Sequence, residues 1–324
     1  MAKTKTSGKT TKKTAGKAKA KKTTEGSNVS QNRLVEMKRS ITHIGETNPL
    51  RRKLWHMDKK VQKLITGIQQ GDDSITIGNM LYNMEGPYPL KIGMKTGLIH
   101  SCSDIVVMGG KPLFALNAMQ VDSVEQSVEV AEGIKKQSEG LGVPVIGGNT
   151  QLENDLKPCV SFVVVGELVL DKIIADSTLE TGDHIVMLGD PVEGDIGDRV
   201  QKANVKFKTF IEVAKAIKVH ASKDASRGGW FGNLMEILIK SKKGFNITGI
   251  PHRSFSRYLG TYMISVDPKD IPKIASIAAK NGCPAVDMGE VTAKMDVVLG
   301  DDVLVNEKEM QKLIRESPFK KPNY

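Results

Sequence analysis

The sequence predicts an α+β fold in two domains. Its 324 residues are enough for two hydrophobic cores of ordinary size. Short apolar runs between turn residues indicate buried strands, and stretches with apolar residues at helical spacing indicate helices between them. The predicted strands are residues 113–119, 143–146, 159–166, 183–190, 262–266 and 285–291, and the predicted helices are residues 92–104, 123–141 and 268–279. We expect residues 29–170 to form the first domain and residues 171–324 the second.

The positive charge of the chain is concentrated at its beginning. Residues 1–26 contain nine Lys and one Glu, a balance of +8, so the total of +10 leaves only +2 for the other 298 residues. Residues 1–28 contain no large apolar residue after Met1, and we expect them to form a disordered tail. The tail has two interpretations, a weak sequence-independent contact with nucleic-acid phosphates and a solubilising extension.

The cysteine pattern and the hydropathy pattern exclude several classes of protein. Cys102, Cys159 and Cys283 are widely spaced and form no C-x-x-C pair, so the sequence indicates neither a disulfide framework nor a zinc site. No apolar run approaches the roughly 18 residues of a membrane span, and the N-terminus lacks the apolar core of a secretion signal. We therefore expect a cytoplasmic protein without a membrane contact.

The centre of the candidate site is residues 103–116, SDIVVMGGKPLFAL. Upstream of it, Ile92, Leu98 and Ile99 follow a mostly helical spacing and predict a helix with one apolar face. The Gly pair and the Pro end this helix, and a short apolar run predicts a buried strand after them. This arrangement predicts that Asp104 lies near a helix end, beside a sheet.

Three other stretches carry candidate chemistry. Residues 71–73, GDD, precede an alternating strand pattern; residues 147–150, GGNT, follow a predicted strand and suggest a loop; residues 223–230, KDASRGGW, precede a helix. In the third stretch, a Gly pair before a helix would leave free amides for an anion, Arg227 could pair with a phosphate or carboxylate, and Asp224 could hold a metal. Taken singly, the first two are more often turns, and the third is compatible with a capped helix start.

Four stretches, residues 103–116, 147–150, 181–190 (TGDHIVMLGD) and 223–230, resemble in this chain order motifs of the aminoimidazole ribonucleotide synthetase-related superfamily of ATP-binding proteins. Residues 71–73 resemble the G-D-D that leads into the first strands of that superfamily. Residues 224–236 are most similar to D-x-T-R-G-G-hydrophobic-x-x-x-L-x-E of its hydrogenase maturation branch. The resemblance covers about residues 70–300. It implies a mixed sheet in the first domain that pairs with a second copy into a shared barrel, helices packed on a sheet in the second domain, and a homodimer with ATP at or near its interface.

The resemblance also implies the site and the chemistry. The residues that would hold Mg²⁺, an ion that prefers oxygen ligands, are Asp72, Asp73, Asp104 and Asp224. The residues that would contact nucleotide or substrate are Gly147, Gly148, Asn149, Thr150, Ser226, Arg227 and Asn79. The implied cofactors are ATP and Mg²⁺, and the implied reaction transfers a phosphoryl group to an oxygen, such as that of an amide or carbonyl, of an unidentified acceptor. No general base is assigned.

Three departures from the family pattern favour an alternative. Spacing places Asn79 where relatives have an aspartate, with Asp73 as the other candidate, and Asn149 stands where several relatives have an acid. The hydrogenase maturation branch ends in a tail with an acceptor Cys, whereas residues 317–324, SPFKKPNY, contain none, so we do not expect its reaction. The alternative is an ATP-binding or scaffold homologue with reduced turnover.

Overall fold

The computed structural model describes residues 35–46, 48–152 and 155–324. It confirms the predicted α+β fold with two domains, since helices pack on two separate sheets. The predicted tail, residues 1–28, lies outside the described residues. Within the described ranges, none of the helices combines the length and apolarity needed to span a bilayer.

The first sheet has six strands in the order β1-β2-β3-β6-β4-β5. Strands β4 and β5 are parallel, and the other neighbours are antiparallel, so the predicted mixed sheet is confirmed. In the described chain the sheet stays open at β1 and β5 and does not close into a barrel. Its strands are β1 Leu64–Thr66, β2 Ile75–Ile77, β3 Met80–Pro89, β4 Gly110–Gln120, β5 Val145–Gln151 and β6 Cys159–Leu168.

Two long helices pack on one face of this sheet, whereas the helices before residue 47 pack on the second domain, where Met37 and Ile44 join its core. Ser123 caps the predicted second helix by accepting a hydrogen bond from the Gln126 amide, and the left-handed Gly142 ends it, as its sequence predicts. The helices are α1 at residues 35–40, α2 Thr42–Glu46, α3 Asn48–Leu54 with the 3-10 turn Trp55–Lys60, α4 Leu90–Ile92, α5 Leu98–Val107 and α6 Val124–Leu141; the π-helical turn Gly93–Gly97 joins α4 to α5.

The second sheet has seven strands in the order β13-β12-β9-β11-β7-β10-β8. One face packs against α7 and α9 and the other against α8 and α10, as the prediction of helices on a sheet requires. The strands are β7 His184–Leu188, β8 Val219–Asp224, β9 Gly244–Ile247, β10 Tyr262–Val266, β11 Ala285–Thr292, β12 Val297–Leu299 and β13 Asp302–Val305. The helices are α7 Ile196–Ala216, α8 Gly229–Ser241, α9 Ile271–Asn281 and α10 Glu307–Glu316.

Helix α5 lies at the junction of the two sheets. Its buried side chains belong to one hydrophobic core that also contains Phe210 of α7 and Tyr262 of β10. The fully buried Lys206 of α7 reaches the same junction, where its Nζ donates a hydrogen bond of 3.0 Å to Ser103 Oγ. The Tyr262 hydroxyl donates to the Ser103 carbonyl at 2.9 Å. Side chains of the second domain therefore hold Ser103, the residue before Asp104, in place.

Candidate functional site between the two sheets

Helix α5 places Asp104 against β3, as predicted for a helix end beside a sheet. Asp104 is 7% exposed, and its Oδ2 accepts a hydrogen bond of 2.8 Å from Asn83 Nδ2. The same amide group donates to the Asp73 carbonyl at 3.0 Å. The other amide atom, Asn83 Oδ1, is buried and has no hydrogen-bond partner among the residues that the structure describes. It leaves an unused oxygen acceptor beside Asp104.

Asp224 reaches the same place from the second domain. It ends β8, and only 2% of it is exposed. Asp104 and Asp224 both line one cavity of about 600 Å³ between the two sheets. The other lining residues are Glu85, Tyr88, Ile92, Thr96, His100, Val192, Arg199, Ser226, Arg227 and Tyr258. The structure thus brings together two of the four predicted acidic residues with the predicted Ser226 and Arg227.

The two carboxyl groups are close enough to influence each other. Burial, followed by the charges of Asp224 and Glu85, raises the pKa of Asp104 well above its usual value. Burial and then the charge of Asp73 raise the pKa of Asp224 to about 7. Buried carboxylates of like charge, together with the unpaired Asn83 Oδ1, form an all-oxygen set of donors. Such a set has the chemistry that Mg²⁺ prefers.

Asp72 and Asp73 lie next to this set, but their carboxylates already contact other parts of the protein. Lys223 Nζ lies 2.5 Å from Asp73 Oδ1, and Asp72 Oδ2 accepts a hydrogen bond of 3.4 Å from the Asp176 amide. In the part of the chain that the structure describes, no three Asp, Glu, His or Cys side chains form a ready-made metal site. Asp73 nevertheless adjoins Asp224, whose backbone amide donates to Asp73 Oδ2 at 3.4 Å, whereas Asp72 contacts Asp176.

The remaining predicted residues do not line the cavity. Asn79 lies in the turn between β2 and β3, four residues from Asn83 and hence about 13 Å along the strand. Gly147, Gly148, Asn149 and Thr150 were expected in a loop, and this expectation is wrong, because they lie within the edge strand β5. Gly148 permits the pairing, since a Cβ there would overlap the carbonyl oxygen of Asn117 on β4.

The Gly pair beside Arg227 has a different role from the expected one. A Cβ on Gly228 would lie 2.5 Å from His43 Cε1, and a Cβ on Gly229 would overlap the backbone at Phe255. The N-terminal helices and residues 255–256 therefore cover the start of α8. Both glycines allow close packing, and the Gly229 amide donates to the Ser226 carbonyl at 3.0 Å, so this amide is not free for an anion.

The sequence reasoning missed most of the cavity wall. Tyr258 and His100 face each other with ring centroids 4.4 Å apart, and the Thr96 hydroxyl lies 3.0 Å from His100 Nε2. Burial, Lys206 and Arg199 lower the pKa of His100 to about 3, so its imidazole is neutral. No local motif marks these residues, but His100 lies one helical turn before Asp104, a spacing that places both on one face.

Two family models match the chain. The AIR synthase related protein N-terminal domain matches residues 82–168, and the corresponding C-terminal domain matches residues 171–302. The chain belongs to the AIR synthase-related family. An uncharacterised protein of Methanocaldococcus jannaschii is 48% identical over 287 residues, which cover 88% of this chain and 97% of that protein.

The PurL relatives of this AIR synthase-related chain are longer than the chain, which spans about half of their length or less. The phosphoribosylformylglycinamidine synthase subunit PurL of Methanobrevibacter smithii is 23% identical over 254 residues, which cover 65% of this chain and 35% of PurL. Among solved structures, Thermotoga maritima PurL complexed with ATP has a TM-score of 0.62 at 18% identity over 80% of this chain and 47% of PurL. The hydrogenase maturation protein HypE in complex with ATP has a TM-score of 0.57 at 14% identity over 72% of this chain and 86% of HypE. These structures share the fold.

Proposed function

We propose that this AIR synthase-related protein is an ATP- and Mg²⁺-dependent enzyme that transfers the γ-phosphoryl group of ATP to an oxygen of an acceptor, such as an amide or carbonyl oxygen. The observation that carries the proposal is that Asp104 and Asp224, from two different domains, reach one cavity that Arg227 also lines. Two relatives of the same fold have been solved with ATP. Phosphoryl transfer depends mainly on positioning and on stabilising charge, which this cavity can provide.

The predicted residues that line the cavity each have a proposed role. Asp104 and Asp224 would hold Mg²⁺, with Asn83 Oδ1 as a neutral oxygen beside them, and Asp72 and Asp73 remain predicted ligands. When bound, Mg²⁺ would neutralise charge on the phosphate oxygens. Arg227 would stabilise the charge of the transferred group, and Ser226 would donate a hydrogen bond to it. The burial of Asp104 and Asp224 excludes water and strengthens these interactions.

We also propose that the protein is a homodimer that pairs through the outer face of the first sheet. On this face, Tyr82 and Phe114 flank Val165, and Met84 and Leu116 flank Val163, in two apolar rows across three strands. Met84 is 71% exposed in the single chain. An apolar face of this kind favours burial against a second copy.

The predicted nucleotide contacts of the first domain lie near this proposed interface. Gly147 and Asn149 share the outer face of the sheet through their pairing with β4. They and their neighbours Gly148 and Thr150 would contact ATP near the interface, and Asn79 would be a further nucleotide contact.

The alternative is an ATP-binding homologue or scaffold with reduced turnover. It is favoured by the neutral Asn79 and Asn149 at positions where relatives carry acids, and by the contact that already occupies Asp73. Both proposals require ATP to bind. They differ in whether phosphate is transferred or released.

Titration calorimetry with ATP and Mg²⁺, followed by a phosphate-release assay, tests the proposal. We expect Asp104→Asn and Asp224→Asn each to weaken Mg²⁺-ATP binding at least about tenfold, because each removes a charged ligand. Asp301→Asn, at an exposed position in the β12–β13 turn, is the matched control. Binding without phosphate release would support the alternative, and the absence of binding would reject both. Mass spectrometry of ligands that co-purify with the protein would identify the acceptor.

For the tail, residues 1–28, we propose a weak, sequence-independent contact with nucleic acid in the cytoplasm. Deletion of the tail should reduce retention on a nucleic-acid column, and the difference should disappear at high salt. Equal retention of the full-length and the tail-deleted protein across the salt series would reject the nucleic-acid contact and favour a solubilising role of the tail.

A further inference from the structure

Arg199 supplies a positive charge to the cavity. It lies in the first turn of α7, where Nε donates to the Gly194 carbonyl and Nη1 to the Val192 carbonyl, both at 2.9 Å. Within the described residues, Arg199 forms no ion pair with an Asp or Glu. Glu193, the acidic residue between its two partners, pairs instead with Arg257.

The two backbone contacts hold the guanidinium in a fixed orientation. A guanidinium has five N–H donors, and these two contacts leave three of them for another partner. The remaining donors can form charge-assisted hydrogen bonds with the oxygens of a carboxylate or phosphate. An arginine that is fixed in this way loses little conformational entropy when it binds a ligand.

Arg199 lines the same cavity as Asp104 and Asp224. It contributes with Lys206 to the low pKa of His100, whose ring centroid lies 4.4 Å from that of Tyr258. The cavity wall therefore combines two buried carboxyl groups with a guanidinium and a neutral imidazole.

We propose that the acceptor is a small molecule with an anionic group, a carboxylate or a phosphate, and that Arg199 binds this group. The acceptor oxygen would then face Asp104 and Asp224, which line the same cavity. A volume of about 600 Å³ is typical of a site for a small molecule. The part of this proposal that concerns an acceptor rests on the proposed phosphoryl transfer, but the binding of an anion does not require ATP.

Binding of three probes without nucleotide tests the proposal by ligand-observed NMR. N-acetylglycine has an amide oxygen and a carboxylate, N-acetylglycinamide is its neutral counterpart, and inorganic phosphate represents the second anion. We expect at least one of the two anions to bind more tightly than N-acetylglycinamide. The anion that binds more tightly indicates whether the anionic group of the acceptor is a carboxylate or a phosphate.

Variants then locate the bound anion. We expect Arg199→Met to weaken anion binding about tenfold, which is the usual range for a lost charge-assisted pair, and Arg199→Lys to weaken it less. Lys202→Met is the matched control, because Lys202 lies on the same helix and contacts the Glu193 carbonyl outside the cavity. It removes the same charge and should leave binding unchanged.

A second pair of variants avoids any change to the hydrogen bonds of Arg199. Ile92 lines the cavity and is 41% exposed, so it tolerates a polar residue. Ile92→Glu should repel the anion and weaken its binding, whereas Ile92→Gln should not. The proposal is overturned when neither anion binds better than N-acetylglycinamide, or when Arg199→Met and Ile92→Glu both bind anions like the wild type. Loss of Mg²⁺-ATP binding with intact anion binding would instead reject the proposed function.

Discussion

The side chain of Glu36, near the beginning of the described chain, binds residues 254–256 of the second domain through hydrogen bonds. Its Oε1 accepts hydrogen bonds from the Ser254 hydroxyl at 2.6 Å, the Phe255 amide at 3.0 Å, and the Ser256 amide and hydroxyl at 3.1 and 2.9 Å. Burial raises the pKa of Glu36, but these hydrogen bonds outweigh it, and the net shift is downward. The carboxylate form therefore stabilises the fold.

Glu36→Gln should lower the free energy of unfolding by about 1–3 kcal/mol at pH 7, because hydrogen bonds to a charged group are lost. A carboxyl group whose pKa is lower in the folded state than in the unfolded state stabilises the fold at pH values above its ordinary pKa. This contribution is lost as the pH falls through the lowered pKa. The difference between the two proteins should therefore be full at pH 7 and should shrink on acidification below pH ~4.5. Urea unfolding at several pH values measures it.

Glu129→Gln is the control for this prediction, because Glu129 is exposed on α6. Its effect should stay within about 0.5 kcal/mol at every pH. A difference between wild type and Glu36→Gln that does not change with pH would show that the hydrogen bonds do not depend on the charge.

At the scale of elements, the N-terminal helices and α8 pack at close range. A Cβ on Gly232 of α8 would overlap the Ser40 carbonyl oxygen of α1. His43 of α2 lies 3.4 Å from Glu236, one turn further along α8. The approach of these helices explains why glycines occupy the start of α8, where a Cβ would meet His43 or Ser40. A sequence shows that glycines are present, but it does not show what lies above them.

The substitution Gly232→Ala tests this contact, because the sign of its effect on the free energy of unfolding depends on whether α1 lies close to Gly232. In an exposed helix, Ala stabilises relative to Gly by about 0.5–1 kcal/mol. At Gly232 we expect destabilisation by about 1–3 kcal/mol instead, because the added methyl group would displace α1. Thermal unfolding measures the change.

Gly45→Ala is the matched control, since Gly45 lies in α2 and a Cβ there meets nothing within 4 Å. It should be neutral or slightly stabilising. Stabilisation by both substitutions would contradict the close packing of α1 on α8.

At the scale of the whole molecule, buried charges join the two domains. Lys240 of α8 is 5% exposed, and its Nζ contacts Asp176, the Glu236 carboxylate at 2.9 Å and the Gly71 carbonyl at 2.6 Å. Burial raises the pKa of Asp176 to about 6, although Lys240 and Lys223 oppose this shift. Lys223 joins the same cluster through Asp73.

Lys240→Met should destabilise the protein by about 3–5 kcal/mol, because it leaves buried carboxylates without a partner. The matched control is Lys218→Met, which removes a pair with Glu180 whose side chains are 67% and 57% exposed. That pair should contribute at most about 1 kcal/mol. Equal effects in urea unfolding would show that the buried cluster has no special role.

The proposed dimer gives a prediction at the same scale. Met84→Lys should shift the mass measured by light scattering from two chains towards one, because a charge would be buried in an apolar interface. Val303→Lys is the control, since Val303 is 57% exposed on β13 of the other sheet. A wild-type protein with the mass of one chain would reject the dimer.

The sequence by itself determined the fold class and most elements, because periodicity, caps and turn residues are local. Ser123 and Gly142 mark the ends of α6 within a few residues of the chain, and the apolar run at 159–166 marks β6. It also determined the family, since four motifs in order carry that information. Two predicted acids, Asp104 and Asp224, reach the same cavity.

The tertiary structure alone decided which residues share that cavity and which do not. Asn83, His100 and Arg199 have ordinary local surroundings, and their importance comes from distant elements that meet at the junction of α5, α7 and β8. Asp73 resembled a metal ligand by position, but Lys223, 150 residues away, already contacts it. Electrostatic partners act across space, whereas a motif describes neighbours along the chain. The sequence therefore predicted candidate residues, and the packing of the two sheets determined their surroundings.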